Sequence, residues 1–280
     1  MPRLGIGALF AALAFPTASA LAQGILVAPH VIVIDHRTRS GSLSLYNPGT
    51  EPSEVTLSTF YGYPATDSTG EFVLRTVEAP DSSAPSAAGW IEAFPKRMVL
   101  APKERQTVRL LARPPATLAD GEYWARVVVS AKGGTVPVSG LADSSGVSVG
   151  LSLEVRTVLP LQYRKGRVST GVQLNEVAAT VEGDSLALRP HLVRTGNGAY
   201  LGTVRAVLRD SSGKTLASLS SPLAVYYDMT PRLTAPLPVA GLPAGTYQVQ
   251  IEAAAERPDI APELILASPP VRSSLAVRLP

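Results

Sequence analysis

One stretch of the chain has the spacing of a nucleophile. Gly146-Val147-Ser148-Val149-Gly150 matches G-x-S-x-G, and Asp184 and His191 follow in an order that a serine triad tolerates. That elbow needs a strand, a sharp turn and then a helix. Here apolar and polar residues alternate without a break from Val147 through Ser148 to Val155, so Ser148 falls in mid-strand and a hydrolase is disfavoured. His30, His36 and His191 are isolated, and none has a histidine or carboxylate at a metal-ligand spacing. Asp35 and His36 are adjacent, which in a strand sends them to opposite faces. Asp67, Glu71, Asp81 and Glu92 are spread over loops and strand starts. Gly196-Asn197-Gly198 lacks the remaining glycine of a nucleotide-binding loop and is read as a hairpin or bulge. The chain has no cysteine, which removes thiol nucleophiles, cysteine metal sites and disulfides. These residues point to no enzyme, no metal and no cofactor. Trp90, Tyr123 and Trp124 are either a binding platform or the aromatic core of a sandwich.

The elements around them follow from composition. The 280 residues are 45% hydrophobic and 17% charged, with 25 Pro and 23 Gly. The length fits about two domains. The chain is too apolar for disorder, and its scattered Pro and Gly exclude long helices. A turn-rich, all-β protein remains. Arg3, the apolar run Leu4 to Phe15, and Ala18-Ser19-Ala20 or Ala20-Leu21-Ala22 make a secretory signal peptide over residues 1–22. The run is shorter than the ~20 residues a bilayer needs, so an exported protein without stable membrane insertion is expected. The formal net charge is +3, with no basic run, which argues against a nucleic-acid partner.

From Ile25 onward short apolar stretches alternate with turns. Val31 to Ile34, Ser42 to Tyr46, Val55 to Tyr61, Glu71 to Val77, Trp90 to Phe94, Lys96 to Leu100, Gln106 to Leu111 and Glu122 to Ser130 are predicted strands. Ala131 to Gly146 is predicted to be a loop. After it comes the cleanest period-two signal: Val147, Val149, Leu151, Leu153 and Val155 on one parity, with Pro160 ending the strand or marking an edge. A domain boundary near Arg164 to Val168 divides residues 23–165 from 166–280. The second half is read as strands over 172–181, 185–194, 202–209, 215–219, 223–226, 248–253 and 273–279. Gly121-Glu122-Tyr123 and Gly245-Thr246-Tyr247 open strands in the same way, which suits a corner where a tyrosine hydroxyl bonds back to the preceding loop. The fold expected is two immunoglobulin-like β-sandwich domains in tandem.

The alternating strand has two readings. Val147 to Val155 faces the core of its own domain, or it lies at an edge and offers apolar side chains and unpaired backbone to a partner. Edges are normally blunted by Lys, Pro or bulges, and here the one charge is Glu154. Strand addition joins main-chain hydrogen bonds to side-chain pockets.

At Ser42-Leu43-Ser44-Leu45-Tyr46-Asn47-Pro48-Gly49, Phe94 to Pro102, Gln106-Thr107-Val108-Arg109-Leu110, Tyr123-Trp124, Leu151 to Thr157 and Leu161 to Arg164, the first half resembles the amino-terminal domain of periplasmic pilus-assembly chaperones, the PapD-like family. The resemblance spans roughly Ile25 to Arg164. It implies a non-enzymatic periplasmic chaperone whose Val147, Val149, Leu151, Leu153 and Val155 complete a pilus or fimbrial-type subunit, with an outer-membrane usher as a further partner. The family also holds the subunit's terminal carboxylate with two basic residues. Val31 and Val158 occupy those positions in a simple alignment, and Arg156, Arg37 or Arg39 would substitute in a shifted register. The alternative function is a structural or adhesive immunoglobulin-like module of the cell envelope, with the same strand buried.

Overall fold

A computed structural model describes residues 24–137 and 150–279. Strands β1 (Leu26–Ala28), β2 (Ile32–Asp35), β3 (Ser40–Tyr46), β4 (Ser53–Thr66), β5 (Phe72–Val77), β6 (Ile91–Phe94), β7 (Arg97–Leu100), β8 (Arg105–Ala112), β9 (Gly121–Pro137) and β10 (Gly150–Lys165) make a first sandwich. A second contains β11 (Thr170–Glu182), β12 (Ser185–Gly196), β13 (Tyr200–Arg209), β14 (Thr215–Val225), β15 (Asp228–Met229), β16 (Leu233–Pro236), β17 (Gly245–Ala254) and β18 (Val271–Leu279). The protein is all-β, as its turn-rich composition requires. Among the described residues no helix is long and apolar enough to cross a membrane.

In the first sandwich a sheet of order β1-β3-β8-β6 faces one of order β2-β10-β9-β4-β5, with β7 also on β4. Leu43, Leu45, Val108 and Leu110 from one sheet meet Val127, Val129, Leu159 and Leu161 from the other in a closed core. In the second, β11-β12-β15 with β16 on β12 faces β14-β13-β17-β18. Leu188, Leu192, Val204, Leu208, Val249 and Ile251 fill that core. The period-two pattern of each strand decides which side chains enter. Both tyrosine corners form: the Tyr123 hydroxyl donates to Ala119 O at 3.0 Å and the Tyr247 hydroxyl to Pro243 O at 2.8 Å.

Three local expectations are corrected. The loop predicted from Ala131 begins too early, because β9 continues to Pro137. Its added residues, polar and glycine-rich, are held in strand form by pairing with Gly150 to Val155. Of the two readings of Pro160, the strand end is corrected, since β10 runs on to Lys165, and the edge position stands. It sits one residue before the pairing to β2 begins at Leu161, where the missing N–H costs no ladder bond on that side. The two short strands predicted over 215–226 are one strand, β14, interrupted in sequence by Pro222. β14 is the edge of its sheet, the position where proline is tolerated.

Leu110 is fully buried, whereas Leu153 is 54% exposed. Leu110→Ala is expected to cost about 2–5 kcal/mol in a urea titration. Leu153→Ala is expected to change stability by less than about 0.5 kcal/mol.

Candidate functional site: a half-paired strand and the junction beside it

β10 pairs antiparallel with β9 along its whole length, from Gly150 opposite Pro137 to Lys165 opposite Gly121. Its other side pairs with β2, in parallel, only over Leu161 to Arg164. Among the described residues, then, the segment from Gly150 to Pro160 has a ladder partner on one side only. The odd-numbered side chains set the core face: Leu159, Leu161 and Tyr163 are buried. The same parity leads outward along Thr157 and Val155, which are half-buried, to the exposed Leu153. Val155 has Gly24 for a neighbour, its Cγ1 lying 3.9 Å from where a Cβ on Gly24 would stand. Leu151 is placed by its backbone, opposite Val136. Val147, Val149 and the Ser148 of the nucleophile-like motif lie outside the described residues, as does the predicted signal peptide.

The even-numbered face carries the charge. Arg156 Nε donates to Glu154 Oε1 at 2.8 Å, and Lys132 Nζ stands 3.9 Å from Glu154 Oε2. The Arg156 hydrogen bond holds the Glu154 carboxyl below its ordinary range. Arg37 and Arg39 occupy the turn after β2, with the Arg37 N–H on Asp35 Oδ1 at 2.8 Å and Arg39 Nε on His36 O at 3.2 Å. Asp35 pairs with Arg164, eight residues along β10 from Arg156, or about 26 Å of strand. The three candidate anchor arginines are therefore not brought together.

What the structure does assemble at the Arg164 end is a junction that sequence reasoning missed. Glu122 and Trp124, two apart on β9, project from the same face, away from the first core. Tyr123 points the other way and packs with Trp90, which also meets Tyr163 edge-on at 4.7 Å. Trp90 and Tyr123 thus belong to the first core, and Trp124 belongs to the junction. The Glu122 side chain is fully buried. Its Oε1 accepts from Trp124 Nε1 at 2.8 Å and from the Ala199 N–H at 2.9 Å. Its Oε2 accepts from Arg164 Nε at 2.8 Å. Asn197, in the turn read from sequence as a hairpin or bulge, accepts from the Glu122 N–H at 3.1 Å and holds the linker through Ser169 N at 2.9 Å.

Around that carboxylate lies an aromatic cluster. Trp124 meets Tyr226 at 4.7 Å and Tyr227 at 5.5 Å, both edge-on, and the Arg194 guanidinium covers the indole at 5.6 Å. The Tyr61 and Tyr227 hydroxyls share a 2.7 Å hydrogen bond, and burial with that bond pushes the Tyr61 phenol above its ordinary range. The β4–β5 hairpin docks on the second sandwich: Arg232 N–H donates to Gly70 O at 2.9 Å and Arg189 Nη1 to Thr69 O at 2.8 Å. Gly70 has φ +90, and a Cβ there would lie 2.7 Å from Arg232 N, so this tip requires glycine.

Between the sandwiches remains a cleft of about 380 Å³, lined by Val31, Arg126, Pro160, Gln162, Tyr226 and Arg257 among others. Gln162 is buried, with its Oε1 taken by Arg164 Nη2 at 3.0 Å and its Nε2 without a partner. Arg126 is buried too, with Nε on Gly62 O at 2.9 Å and its guanidinium 5.1 Å from the Tyr226 ring centroid. Arg257 Nε pairs with Asp259 Oδ1 at 2.7 Å. His191 and Asp184 sit at the far sandwich, in β12 and the turn before it. Among the described residues no group of three His, Cys, Asp or Glu is placed to hold a metal.

Glu122→Ala strands a largely buried guanidinium and leaves two further buried donors unfilled. It is expected to cost about 3–5 kcal/mol and to widen the range of angles between the sandwiches. Chemical denaturation and small-angle scattering would check the two effects.

No family model matches the chain, and no curated protein does. Among solved structures it is similar to that of the Salmonella enterica SafA pilin in complex with the SafB chaperone, at 15% identity and a TM-score of 0.42, covering 90% of this chain and 96% of that one. It is similar to the YadV chaperone at 17% identity and a TM-score of 0.42, covering 91% and 99%. The CupB2 chaperone of Pseudomonas aeruginosa follows at 11% identity and a TM-score of 0.39, covering 91% and 100%. At that distance the likeness does not bear on function, which rests on the geometry of β10 and the junction.

Proposed function

We propose that this chain is a periplasmic, non-enzymatic chaperone that captures and caps a pilus or fimbrial-type subunit by lending it β10. Two units, 23–165 and 166–280, would follow a cleaved leader, and the first would carry the capture strand. The observation that carries the reading is the half-paired segment from Gly150 to Pro160. Among the described residues its backbone groups on one side have no ladder partner, and its core parity runs on past the core to an exposed Leu153.

The magnitudes are adequate. Each hydrogen bond added along such an edge nets about 0.5–1.5 kcal/mol, and each Val or Leu fully buried by a partner about 1.5–3 kcal/mol. Association and ordering consume a large part of that sum. A subunit lacking one strand of its own sandwich supplies both the backbone edge and the apolar groove that β10 needs. For its terminal carboxylate, Arg126 offers a cation in the cleft beside β10, where the neighbouring Arg257 is already paired with Asp259. Arg156, Arg37 and Arg39, spread along and beyond the strand, would serve such a group only singly. An outer-membrane usher as recipient rests on the sequence resemblance alone.

Leu151→Glu and Leu153→Glu are expected to abolish recovery of the subunit in a periplasmic pull-down while the thermal melt stays cooperative and unshifted. Retention of the subunit by both variants sinks the donor-strand mechanism. Loss of the cooperative melt in both would instead identify a buried strand, as an adhesive or structural module requires.

A further inference from the structure

A second sheet edge is also apolar. Among the described residues β5 pairs with β4 alone. Phe72, Val73 and Leu74 are 49, 40 and 43% exposed. No Lys, Pro or bulge blunts these three residues, the usual protection of an edge. The first charges beyond them are Glu71 on one side and Arg75 on the other. The edge therefore reads Glu-Phe-Val-Leu-Arg, which is complementary to itself when reversed. In an antiparallel pairing centred on Val73, Glu71 stands opposite Arg75 of a second copy, Phe72 opposite Leu74, and Val73 opposite Val73. Glu71, Val73 and Arg75 share one face of the strand and Phe72 and Leu74 the other.

The backbone parity agrees with that register. The Asp67 N–H donates to Glu71 O at 3.0 Å, which makes this pair a hydrogen-bonded one. By alternation, Thr66 opposite Phe72 and Pro64 opposite Leu74 are non-hydrogen-bonded positions. Pro64 has no N–H to give, as such a position allows. Phe72 and Leu74 then direct their N–H and C=O groups outward, where centring on Val73 makes them the bonded pairs of a new ladder. The docked hairpin tip holds β5 in place beforehand, through Gly70 on Arg232 and the Thr66 hydroxyl on the Thr230 N–H at 2.9 Å.

We propose that β5 is a self-association edge, at which two copies of this chain pair antiparallel about a two-fold axis through Val73. The contact is isologous, as two-fold symmetry demands. A strand-to-strand contact falls below the ~1,200 Å² of a standard interface, so the dimer is weak and reversible, in the micromolar range. β5 lies at the opposite end of its sheet from the free side of β10, so the pairing leaves the backbone edge of that strand open, while Phe72, Val73 and Leu74 also line the cleft that holds Arg126 and Arg257.

The chain has no cysteine, which makes cross-linking clean. At a non-hydrogen-bonded pair on the axis, Cα atoms are about 4.5 Å apart, within the ~4.4–6.8 Å that a disulfide spans. Val73→Cys is expected to give a covalent dimer with oxidised glutathione. Thr76→Cys, whose copies stand on the order of 20 Å apart, is expected to stay monomeric. Chains carrying Glu71→Cys mixed with chains carrying Arg75→Cys are expected to cross-link with each other. In sedimentation equilibrium Glu71→Arg is expected to weaken self-association about tenfold, and Glu71→Arg with Arg75→Glu to restore it. Circular dichroism confirms that each exposed-site variant is folded. A protein that stays monomeric throughout the micromolar range, or Thr76→Cys cross-linking as readily as Val73→Cys, overturns the proposal.

Discussion

The Glu122 carboxylate lies where water does not reach, and the arrangement of the two sandwiches depends on how it is satisfied. An ionised carboxylate taken out of water costs several kcal/mol unless donors replace its hydration. Here the donors come from three places: Trp124 on the same strand, Arg164 on β10, and the Ala199 N–H of the second sandwich. No single element could supply them. The need of one buried group therefore fixes β9, β10 and the start of β13 against one another. Trp124, held by that hydrogen bond, packs edge-on against Tyr226 and Tyr227.

β10 contributes to this junction at one end and, among the described residues, has a ladder partner on one side only at the other. At Leu161 to Arg164 it is enclosed between β2 and β9, and Arg164 is committed to Glu122. At Gly150 to Pro160 the same strand pairs, among the described residues, with β9 alone. Charges at that end, Glu154 with Arg156 and Lys132, sit on the even-numbered face. They supply solubility without interrupting the apolar parity that a partner would bury. A strand anchored at one end and unpaired at the other offers a preordered edge, which lowers the entropy lost on docking.

Much of this was legible in the sequence, for identifiable reasons. The period of two at Leu151, Leu153 and Val155 reflects a strand with one apolar face, and the tyrosine corners follow from Gly-x-Tyr openings. Both are local signals. The extension of β9 to Pro137 was not legible, because Ala131 to Pro137 has the composition of a loop and becomes strand only by pairing with β10. The junction was hidden for a similar reason. Glu122 at the head of a strand reads as an ordinary surface carboxylate, and its partners at positions 164 and 199 are distant in the chain. The one available hint was Trp124 at i+2, on the same face.

The sequence by itself determined the strands, the faces they bury and the all-β class, because hydrophobic periodicity and turn chemistry act over a few residues. It also determined that any capture surface would be sought along the apolar parity at 147–155. Only the tertiary structure decided which side of β10 lacks a partner over Gly150 to Pro160 among the described residues, that Arg156 stands apart from Arg37 and Arg39, and that a buried carboxylate joins the two sandwiches. Pairing and burial of charge depend on which distant segments meet, and that is set by the packing of whole sheets.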